Sequence, residues 1–471
     1  MKPSTPKGTR DFLPQVVQRR NYIFNTIKEV FEKYGYAPIE TPAMENLETL
    51  TGKYGEEGDR LIFKILQRGD KLGNAFHELF KASDTLENEA STLSPKVSEH
   101  LAKEFTDGAL RYDLTVPFAR FVVQHQNDLS FPFRRYQIQP VWRADRPQKG
   151  RYREFFQCDA DVIGTDSLRC EVEFVQIFDE VFDKLNLPVQ IRINNRKILS
   201  ALAVYIGQEN HFTELTVAID KLDKVPLKKV LQDLSEKGFA ADSIELLNEV
   251  LQITEKAESN EAILKDLEER FADIPEGMEG IEEMRYVLNK VEALGLSKAE
   301  LKLDINLARG LNYYTGAIFE VLPLTEHQVG SICGGGRYDD LTGIFGLKDM
   351  SGVGISFGAD RIYDLLEAMD LFPDSELNNT ELLFVNFGEK EADFCHTVLS
   401  ILRKEGVRGE LYPDAAKMKK QMKYANDKNI PFVALVGENE MEQEAVTLKN
   451  MRTGDQDLVH LKELLSNLRN L

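Results

Sequence analysis

Three arginines occur in sequence settings where a guanidinium group can bind phosphate. Arg143 ends a predicted strand, Arg309 lies in the segment 308–314 (ARGLNYY), and Arg361 begins a predicted helix after a glycine-rich segment at 352–358. A guanidinium group binds phosphate oxygens through two parallel hydrogen bonds and stays charged at neutral pH. A single such arginine is most often part of a surface salt bridge, but three beside glycine-rich or polar strand positions favour phosphate binding.

The glycine-rich segments do not match the usual nucleotide-binding loops. Gly334, Gly335 and Gly336 are followed by Arg-Tyr instead of Lys-Ser or Lys-Thr, and no GxGxxG opens a helix after a strand. The sequence therefore does not match a Walker or a Rossmann nucleotide-binding motif. Any bound nucleotide must have its phosphates held by arginines that project from an antiparallel sheet.

A polar hairpin over residues 133–161 positions Arg143. Strand side chains alternate between two faces, so one face of the first strand carries Arg135, Gln137, Gln139 and Arg143. The same face of the return strand carries Arg153, Phe155, Gln157, Asp159 and Asp161. A solvated edge hairpin is the alternative, but the many interleaved aromatic residues favour a buried, rigid sheet. The loop 146–151 adds three cations with the Pro and Gly of a turn.

The other elements predict an α+β chain of roughly three domains. An apolar stripe indicates a helix over 21–34, and residues 109–115 alternate as a strand that places Arg111, Asp113 and Thr115 on one face. Residues 71–107 form an inserted, partly helical excursion. Residues 195–300 form a helix-rich acidic segment, and 380–471 alternate strand and helix as a small α/β domain.

Composition limits the class of protein. The net charge is -20, which argues against a general nucleic-acid coat but not against a local basic patch. The apolar runs are too short for a bilayer and the N-terminus lacks a signal region, so we expect a cytoplasmic protein without a membrane partner. The four cysteines are scattered singly, so we expect neither zinc, another bound metal, nor a disulfide framework.

These motifs together resemble the class II aminoacyl-tRNA synthetases. The hairpin resembles their motif 2, residues 352–367 with Arg361 resemble motif 3, and the helix and strand that end at Pro42 resemble motif 1, which forms the dimer. Within the class, the sequence is similar to the histidyl-tRNA synthetase family. The supporting segments are 6–14 (PKGTRDFLP), 110–115 (LRYDLT), 146–153 (RPQKGRYR), 308–314 (ARGLNYY) and 334–339 (GGGRYD).

The resemblance implies a fold, a domain order and a reaction. We expect an antiparallel sheet flanked by helices in a catalytic core of residues 1–194 and 301–372, interrupted by a helical insertion domain at 195–300. Residues 380–471 would be an α/β anticodon-binding domain. The enzyme would join histidine to ATP, which carries Mg²⁺, release pyrophosphate, and pass the histidyl group to the terminal adenosine of histidine tRNA.

Residue roles follow from the same resemblance. Arg143 would bind the α-phosphate, Arg361 the γ-phosphate, and Arg309 the α-phosphate and carboxylate side, with Arg309 and Arg143 as catalytic residues. The ammonium of histidine needs acceptors from facing strand positions, for which Asp113, Thr115 and Gln157 are suited. The two imidazole nitrogens need a carboxylate and a phenol, which Asp161 and Tyr314 would supply, with Tyr313 nearby.

The tRNA contacts and the assembly are also implied. Gln148, Lys149 and Arg151 would meet the acceptor end, and Lys419 and Lys423 would lie on one side of a helix that contacts tRNA. For any single lysine, a solvated helix face is equally compatible with the pattern. The family works as a homodimer. The alternatives are an inactive paralogue that regulates another enzyme and a synthetase for another amino acid; the three arginines and the ARGLNYY segment disfavour them.

Overall fold

A computed structural model of the chain describes residues 2–83, 105–148, 150–308, 314–327, 329–373 and 380–469. The chain forms two compact units. The first comprises Met1–Leu13 and Arg20–Phe372, and the second comprises Pro14–Arg19 and Pro373–Leu471. Among the described residues, every helix is too short or too polar to cross a lipid bilayer.

The strands of the first unit build two sheets. In chain order they are β1 Ala37–Pro38, β2 Met44–Asn46, β3 Lys64–Leu66, β4 Thr106–Leu110, β5 Phe133–Trp142, β6 Glu154–Ile163, β7 Val189–Asn195, β8 Glu300–Leu303, β9 Ala317–Pro323, β10 Cys333–Tyr338 and β11 Gly352–Gly358. Within the described ranges, the large sheet has the order β1-β5-β6-β11-β10-β9-β7-β8, and the small sheet has the order β2-β4-β3. The six central strands of the large sheet are antiparallel, and the end strands β1 and β8 pair in parallel. This architecture confirms the predicted α+β fold.

Helices surround the sheets and fill the segment between β7 and β8. Those outside that segment are Pro14–Lys33, Leu47–Leu50, Gly55–Arg60, Asp70–Ser83, Thr115–Gln124, Arg169–Lys184 and Ala359–Ala368. Those between β7 and β8 are Arg196–Tyr205, Phe212–Ile219, Leu227–Glu236, Ala241–Leu251, Ile253–Lys256, Asn260–Arg270 and Pro275–Leu294. Residues 195–300 are thus helical as expected, while their status as a separate domain stays a prediction.

One face of the large sheet is apolar and covered by two helices. The ring of Phe357 on β11 lies 5.8 Å from Phe31 of helix Pro14–Lys33, and 5.3 and 5.7 Å from Phe178 and Phe182 of helix Arg169–Lys184. All four rings are buried, and such aromatic contacts stabilise a core beyond simple area burial. Because strand side chains alternate, the polar side chains of the same strands point to the opposite face.

The hairpin places the predicted polar side chains on one face. Arg135 of β5 pairs with Asp161 of β6, Gln137 with Asp159, and Gln139 with Gln157, so these side chains share the polar face, as the alternation predicted. The row continues across the sheet, because Asp159 pairs with Ser356 of β11, which pairs with Gly334 of β10, which pairs with Glu320 of β9.

The predicted strand over 109–115 is wrong beyond Leu110. Strand β4 ends there, residues 111–114 are irregular, and helix Thr115–Gln124 begins at once. The physical reason is local: the carboxylate of Asp113 accepts a hydrogen bond from the backbone N–H of Val116, which satisfies an otherwise unpaired donor of the first helical turn. Asp113 and Thr115 therefore reach the polar face from a helix start and not from a strand.

The predicted excursion at 71–107 is described only at its ends. Helix Asp70–Ser83 agrees with the expected helical content, and β4 starts at Thr106. The rest of the excursion lies outside the described residues.

The second unit is an α/β domain with a mixed sheet. Its strands are β12 Leu382–Phe384, β13 Gly409–Leu411, β14 Phe432–Leu435, β15 Ala445–Asn450 and β16 Gln456–His460. Its helices are Glu389–Lys404, Met418–Asp427, Glu438–Glu442 and Leu461–Arg469. The order is β13-β12-β14-β15-β16 over the described residues, parallel from β13 to β14 and antiparallel beyond. The strands β15 and β16 were not expected from the sequence.

Candidate active site

A cavity of about 570 Å³ opens on the polar face of the large sheet. It brings together the predicted residues Asp113, Thr115, Arg143, Arg151, Gln157, Tyr314 and Arg361. The first three come from the β4–helix junction and the residue after β5, and the others come from β6, the loop that precedes it, the segment before β9 and helix Ala359–Ala368. Residues far apart in the sequence therefore share one cavity.

The buried carboxylate of Asp113 has one oxygen that accepts hydrogen bonds and a second that accepts none from the described residues. Its Oδ1 accepts hydrogen bonds from the Tyr54 hydroxyl at 2.9 Å and from the Val116 N–H at 3.1 Å. Its Oδ2 is buried and accepts none within the described part of the chain. Burial raises the pKa of Asp113, while the Val116 N–H, the nearby Arg143 and the Tyr54 hydroxyl oppose that rise. An incoming cation would complete the hydrogen bonding of this carboxylate.

Gln157 presents a second acceptor to the cavity. Its Nε2 donates a 2.8 Å hydrogen bond to Oγ of Ser356 on the neighbouring strand β11. Its Oε1 is buried and has no hydrogen-bond donor among the described residues. Since buried acceptors are normally paired, Gln157 Oε1 and Asp113 Oδ2 indicate a ligand that donates hydrogen bonds.

Arg143 is held by aromatic rings at the cavity wall. Its guanidinium carbon lies 4.3 Å from the centre of the Tyr112 ring and 5.2 Å from that of Phe155. Its Nε donates to the Tyr112 carbonyl at 3.1 Å. Stacking and one backbone hydrogen bond orient the guanidinium, and because that bond is made by Nε, it does not occupy the Nη groups.

Arg361 joins the opposite wall to the hairpin loop. Its Nε donates to the Gly150 carbonyl at 3.1 Å, and its Nη1 donates to the Ser331 carbonyl. A second cation, Arg151, is about half exposed and lies 3.4 Å from the Asp145 carboxylate. The cavity thus has cations on two walls and acceptors on its floor.

The structure does not bring Asp161 to the cavity surface. Its carboxylate is buried, pairs with Arg135 Nη2 at 2.6 Å and accepts the Tyr338 hydroxyl at 2.6 Å. Burial raises the pKa of Asp161, and the Arg135 charge and the Tyr338 hydroxyl oppose that rise. The predicted contact of Asp161 with imidazole stays a prediction, because its side chain lies on the polar face but is not among the described residues that line the cavity.

Asp159 lies beside this pair, and its pKa is far above the usual value for aspartate. Burial raises its pKa to about 7; Arg135 lowers it, the neighbouring Asp161 raises it, and a hydrogen bond from Ser356 lowers it. Asp159, Asp161 and Asp113 are all buried near the guanidinium of Arg135. The floor of the site is therefore a polar network whose net charge depends on pH.

Three side chains that shape the site were not anticipated: Tyr54, Arg135 as a buried ion-pair partner, and Tyr338. Parity placed Arg135 on the correct face, and Tyr338 follows the Gly334–Gly336 run. Their partners could not be found from spacing, because Tyr54 and Tyr338 reach carboxylates that are 59 and 177 residues away.

The remaining predicted residues lie outside the described residues or outside the cavity. Arg309, Tyr313 and Lys149 lie outside the described residues. Gln148 is exposed in the hairpin loop, where its backbone pairs with that of Arg151. Lys419 and Lys423 are exposed one turn apart on helix Met418–Asp427, so their contact with tRNA stays a prediction. In the described ranges no group of three or more His, Cys, Asp or Glu side chains is arranged to hold a metal ion.

Comparisons with known proteins identify the family. The family model described as histidyl-tRNA synthetase matches residues 8–75 and 96–362, and the model described as anticodon binding domain matches residues 381–471. The chain is 56% identical over 465 residues to a histidine–tRNA ligase of Phocaeicola vulgatus, which covers 99% of this chain and 98% of that protein. It is also 56% identical over 458 residues to the histidine–tRNA ligase of Porphyromonas gingivalis, 97% of each chain.

A solved structure agrees with the sequence matches. The crystal structure of histidyl-tRNA synthetase from Nostoc sp. PCC 7120 superposes with a TM-score of 0.82 at 29% identity, and the match covers 100% of this chain and 99% of that one. The predicted class and fold are confirmed, and the full-length matches favour the ligase over the inactive paralogue. The chain belongs to the histidyl-tRNA synthetase family.

Proposed function

We propose that the chain is an ATP-dependent ligase that activates L-histidine and charges histidine tRNA. In the first step a carboxylate oxygen of histidine attacks the α-phosphorus of ATP, the bond to the bridging oxygen breaks, and pyrophosphate leaves. In the second step a hydroxyl of the terminal adenosine of the tRNA attacks the activated carbonyl, and AMP leaves. Neither step needs a covalent bond to the protein, so the site acts by positioning and by electrostatics.

One observation supports this proposal most directly. The cavity combines two buried acceptors that have no donor among the described residues, Asp113 Oδ2 and Gln157 Oε1, with two guanidinium groups, Arg143 and Arg361. A ligand that fits must be cationic at one end and strongly anionic at the other. An amino acid next to a nucleoside triphosphate has this distribution of charge.

The acceptors suit the ammonium group of histidine. An ammonium donates three hydrogen bonds, which Asp113, Gln157 and the hydroxyl of Thr115 would accept. A buried site of this kind binds weakly any analogue that leaves its acceptors unpaired. Tyr314 lines the same cavity and would contact the imidazole; Tyr313 and Asp161 are proposed for that part of the ligand from the resemblance.

The guanidinium groups suit the triphosphate. Arg143, in contact with two aromatic rings, would stabilise the negative charge that develops at the α-phosphorus, and Arg361 would hold the γ-phosphate. Arg309 is proposed for the α-phosphate and carboxylate side. ATP would enter as its magnesium complex, because Mg²⁺ in such sites is bound largely by substrate phosphates and water.

The finer assignments form part of the proposal. The protein would be cytoplasmic and would act as a homodimer. It would have a catalytic core of residues 1–194 and 301–372, an insertion domain at 195–300 and an anticodon-binding domain at 380–471. The tRNA acceptor end would meet Gln148, Lys149 and Arg151, and the second unit would present Lys419 and Lys423.

Pyrophosphate exchange tests the activation step alone. We expect the purified protein with Mg²⁺ and ATP to incorporate labelled pyrophosphate into ATP when histidine is added, and not with other amino acids. Asp113→Asn should raise the KM for histidine by about 100-fold, because a charge-assisted hydrogen bond is worth about 1.5–3 kcal/mol. Arg192→Gln removes ion pairs to Asp223 and Asp304 outside the cavity and should leave exchange unchanged. Exchange that depends on another amino acid would refute the proposal.

A further inference from the structure

The segment 6–12 near the N-terminus packs against the hairpin loop that borders the cavity. The backbone N–H of Arg153 donates to the Gly8 carbonyl at 2.9 Å, and its Nη1 donates to the Lys7 carbonyl at 3.4 Å. A turn in which the Thr9 N–H donates to the Pro6 carbonyl at 3.1 Å shapes the segment. The segment therefore supports the chain where it enters the return strand of the hairpin.

Gly8 permits this close approach. It has a φ of +89°, which favours glycine, and a Cβ atom at this position would lie 2.8 Å from both Arg153 Cγ and Pro147 Cγ. Since Pro147 lies within the loop and Arg153 directly precedes β6, the turn at Gly8 contacts both the loop and the start of the return strand.

Arg10 forms the second contact between the segment and the loop. Its guanidinium carbon lies 3.3 Å from the centre of the Tyr152 ring, and its Nη2 pairs with Oδ1 of Asp360. The Tyr152 hydroxyl also donates to Asp364 at 3.3 Å. Arg10 thus joins the loop to the first turn of helix Ala359–Ala368 through one cation–π contact and one ion pair.

Asp360 is a buried junction. Its Oδ1 pairs with both Arg10 and Arg20, and its Oδ2 accepts the Phe156 N–H at 3.1 Å. Because Arg20 remains as a partner, loss of Arg10 does not leave the Asp360 charge unpaired. The Arg10 side chain is 26% exposed and the Arg20 side chain 7%, so Arg10 is the member that can be changed without opening the core.

The residue after Asp360 is Arg361, which donates to the carbonyl of Gly150 in the same loop. The loop is therefore tied to this helix at Gly150 and, through Arg10, at Tyr152. Arg10 is not among the described side chains that line the cavity, whereas its partners Tyr152 and Asp360 are, so its effect on a ligand must pass through these two residues and through Arg361 beside Asp360.

We propose that Arg10 is a positioning residue for ATP, and that residues 6–12 fix the hairpin loop so that Arg361 meets the γ-phosphate. This inference rests on the proposed ATP site. Side chains that are held by packing and by ion pairs bind ligands without losing much entropy on binding, and small displacements in such sites are costly.

Histidine-dependent pyrophosphate exchange over a range of ATP concentrations tests this role. Arg10→Gln should raise the KM for ATP about tenfold and leave the KM for histidine within about twofold, since a misplacement of about 1 Å costs up to about 100-fold. Arg10→Lys keeps the charge and should recover part of the ATP affinity. Arg192→Gln, whose side chain is 24% exposed and also ion-paired, controls for the loss of a surface arginine.

A double-mutant cycle separates positioning from general loosening. If Arg10 acts through Arg361, Arg10→Gln should change the KM for ATP much less in an Arg361→Lys background than in the wild type. Thermal unfolding of each variant reports stability separately. The single tryptophan, Trp142, lies at the start of the loop, and its quenching by acrylamide should increase in Arg10→Gln.

Three results would overturn the inference while leaving the proposed function intact. They are an unchanged KM for ATP in Arg10→Gln, equal rises of the KM values for ATP and histidine, and strict additivity with Arg361→Lys. If the wild type shows no histidine-dependent exchange, the proposed function itself fails. The two failures are therefore distinguished in one set of assays.

Discussion

The hydroxyl of Tyr338 donates a 2.6 Å hydrogen bond to Oδ1 of Asp161, whose other oxygen pairs with Arg135 at 2.6 Å. Gly354 provides the space for this carboxylate, because a Cβ atom there would lie 1.9 Å from Asp161 Oδ1. All four residues are buried. One charge and one hydroxyl thus favour the ionised form of the carboxylate, against a burial that raises its pKa.

Tyr338→Phe should shift the pH dependence of histidine use. The Tyr338 hydroxyl lowers the pKa of Asp161, which burial raises, so its loss lets that pKa rise further. The carboxylate then protonates at a higher pH, and kcat/KM for histidine should fall on the acid side about one unit earlier, because one pKa unit corresponds to about 1.4 kcal/mol. Measured pH profiles check this.

Tyr136→Phe is the control for Tyr338→Phe. Tyr136 also loses a hydrogen bond to a carboxylate, that of Glu32 at 2.8 Å, but it lies on the other side of β5. An acid limb that moves equally in both variants would show that Asp161 is not involved.

The raised pKa of Asp159 predicts that the stability of the protein depends on pH. Its pKa is raised from 3.8 to about 7 by burial, so between these values the native protein holds a proton that the unfolded chain releases. Stability therefore falls as pH rises through this window. Asp159→Asn is neutral throughout, so its Tm minus that of the wild type should increase from pH 5 to pH 8 in calorimetric scans.

An exposed carboxylate gives the comparison for Asp159. Asp457 lies on β16 of the second unit and is exposed, and Asp457→Asn should shift Tm by a similar small amount at both pH values. A constant difference for Asp159→Asn would mean that its carboxyl is not buried in a neutral form at low pH.

Tyr54→Phe should weaken histidine binding selectively. The ring packs 4.5 Å from the Tyr112 ring, and its hydroxyl donates to Asp113 at 2.9 Å; the variant keeps the ring and removes the donor. Asp113 retains the Val116 N–H, so we expect the KM for histidine to rise about tenfold, the value of one hydrogen bond to a charged group. The KM for ATP should stay within twofold. Exchange kinetics with both substrates test this prediction, and a larger rise of the KM for ATP than of the KM for histidine would contradict it.

The hairpin and the location of Asp113 show what the sequence can predict. Alternation along β5 and β6 gave the correct shared face for Arg135, Gln157 and Asp161, because the period of a strand is two residues and one face is buried. The same rule failed at Asp113, where a carboxylate that caps a helix competes with extension of the strand. A local pattern contains no information about such competition.

Contacts between distant segments set the rest of the site. Tyr338 meets Asp161, and Arg10 meets Tyr152 and Asp360, only after the sheet has formed. Each residue alone looks like an ordinary polar or aromatic position. Chain topology and not spacing brings these partners together, so single-sequence analysis identifies the residue types of the site more readily than their partners.

Arg111 stabilises the fold, whereas Arg143 is proposed to act in the reaction, so substitutions of the two should have different effects. The sequence placed Arg111 on the same face as Asp113, but its guanidinium donates to the backbone carbonyls of Thr41 at 2.6 Å and Pro140 at 2.8 Å. Burial lowers the pKa of Arg111 to about 10, which marks a guanidinium enclosed by protein.

Because lysine cannot donate to separated carbonyls as the guanidinium fork does, Arg111→Lys should lower the free energy of unfolding by about 2–4 kcal/mol, the cost of leaving buried acceptors unpaired. Its kcat should change by less than about threefold.

Arg143→Lys should do the reverse. It should lower kcat for exchange about 100-fold, as expected for a group that stabilises the transition state, and should lower the free energy of unfolding by less than about 1 kcal/mol. Denaturant titration and exchange kinetics on both variants decide the matter, and a loss of kcat in Arg111→Lys as large as that in Arg143→Lys would place both arginines in the chemistry.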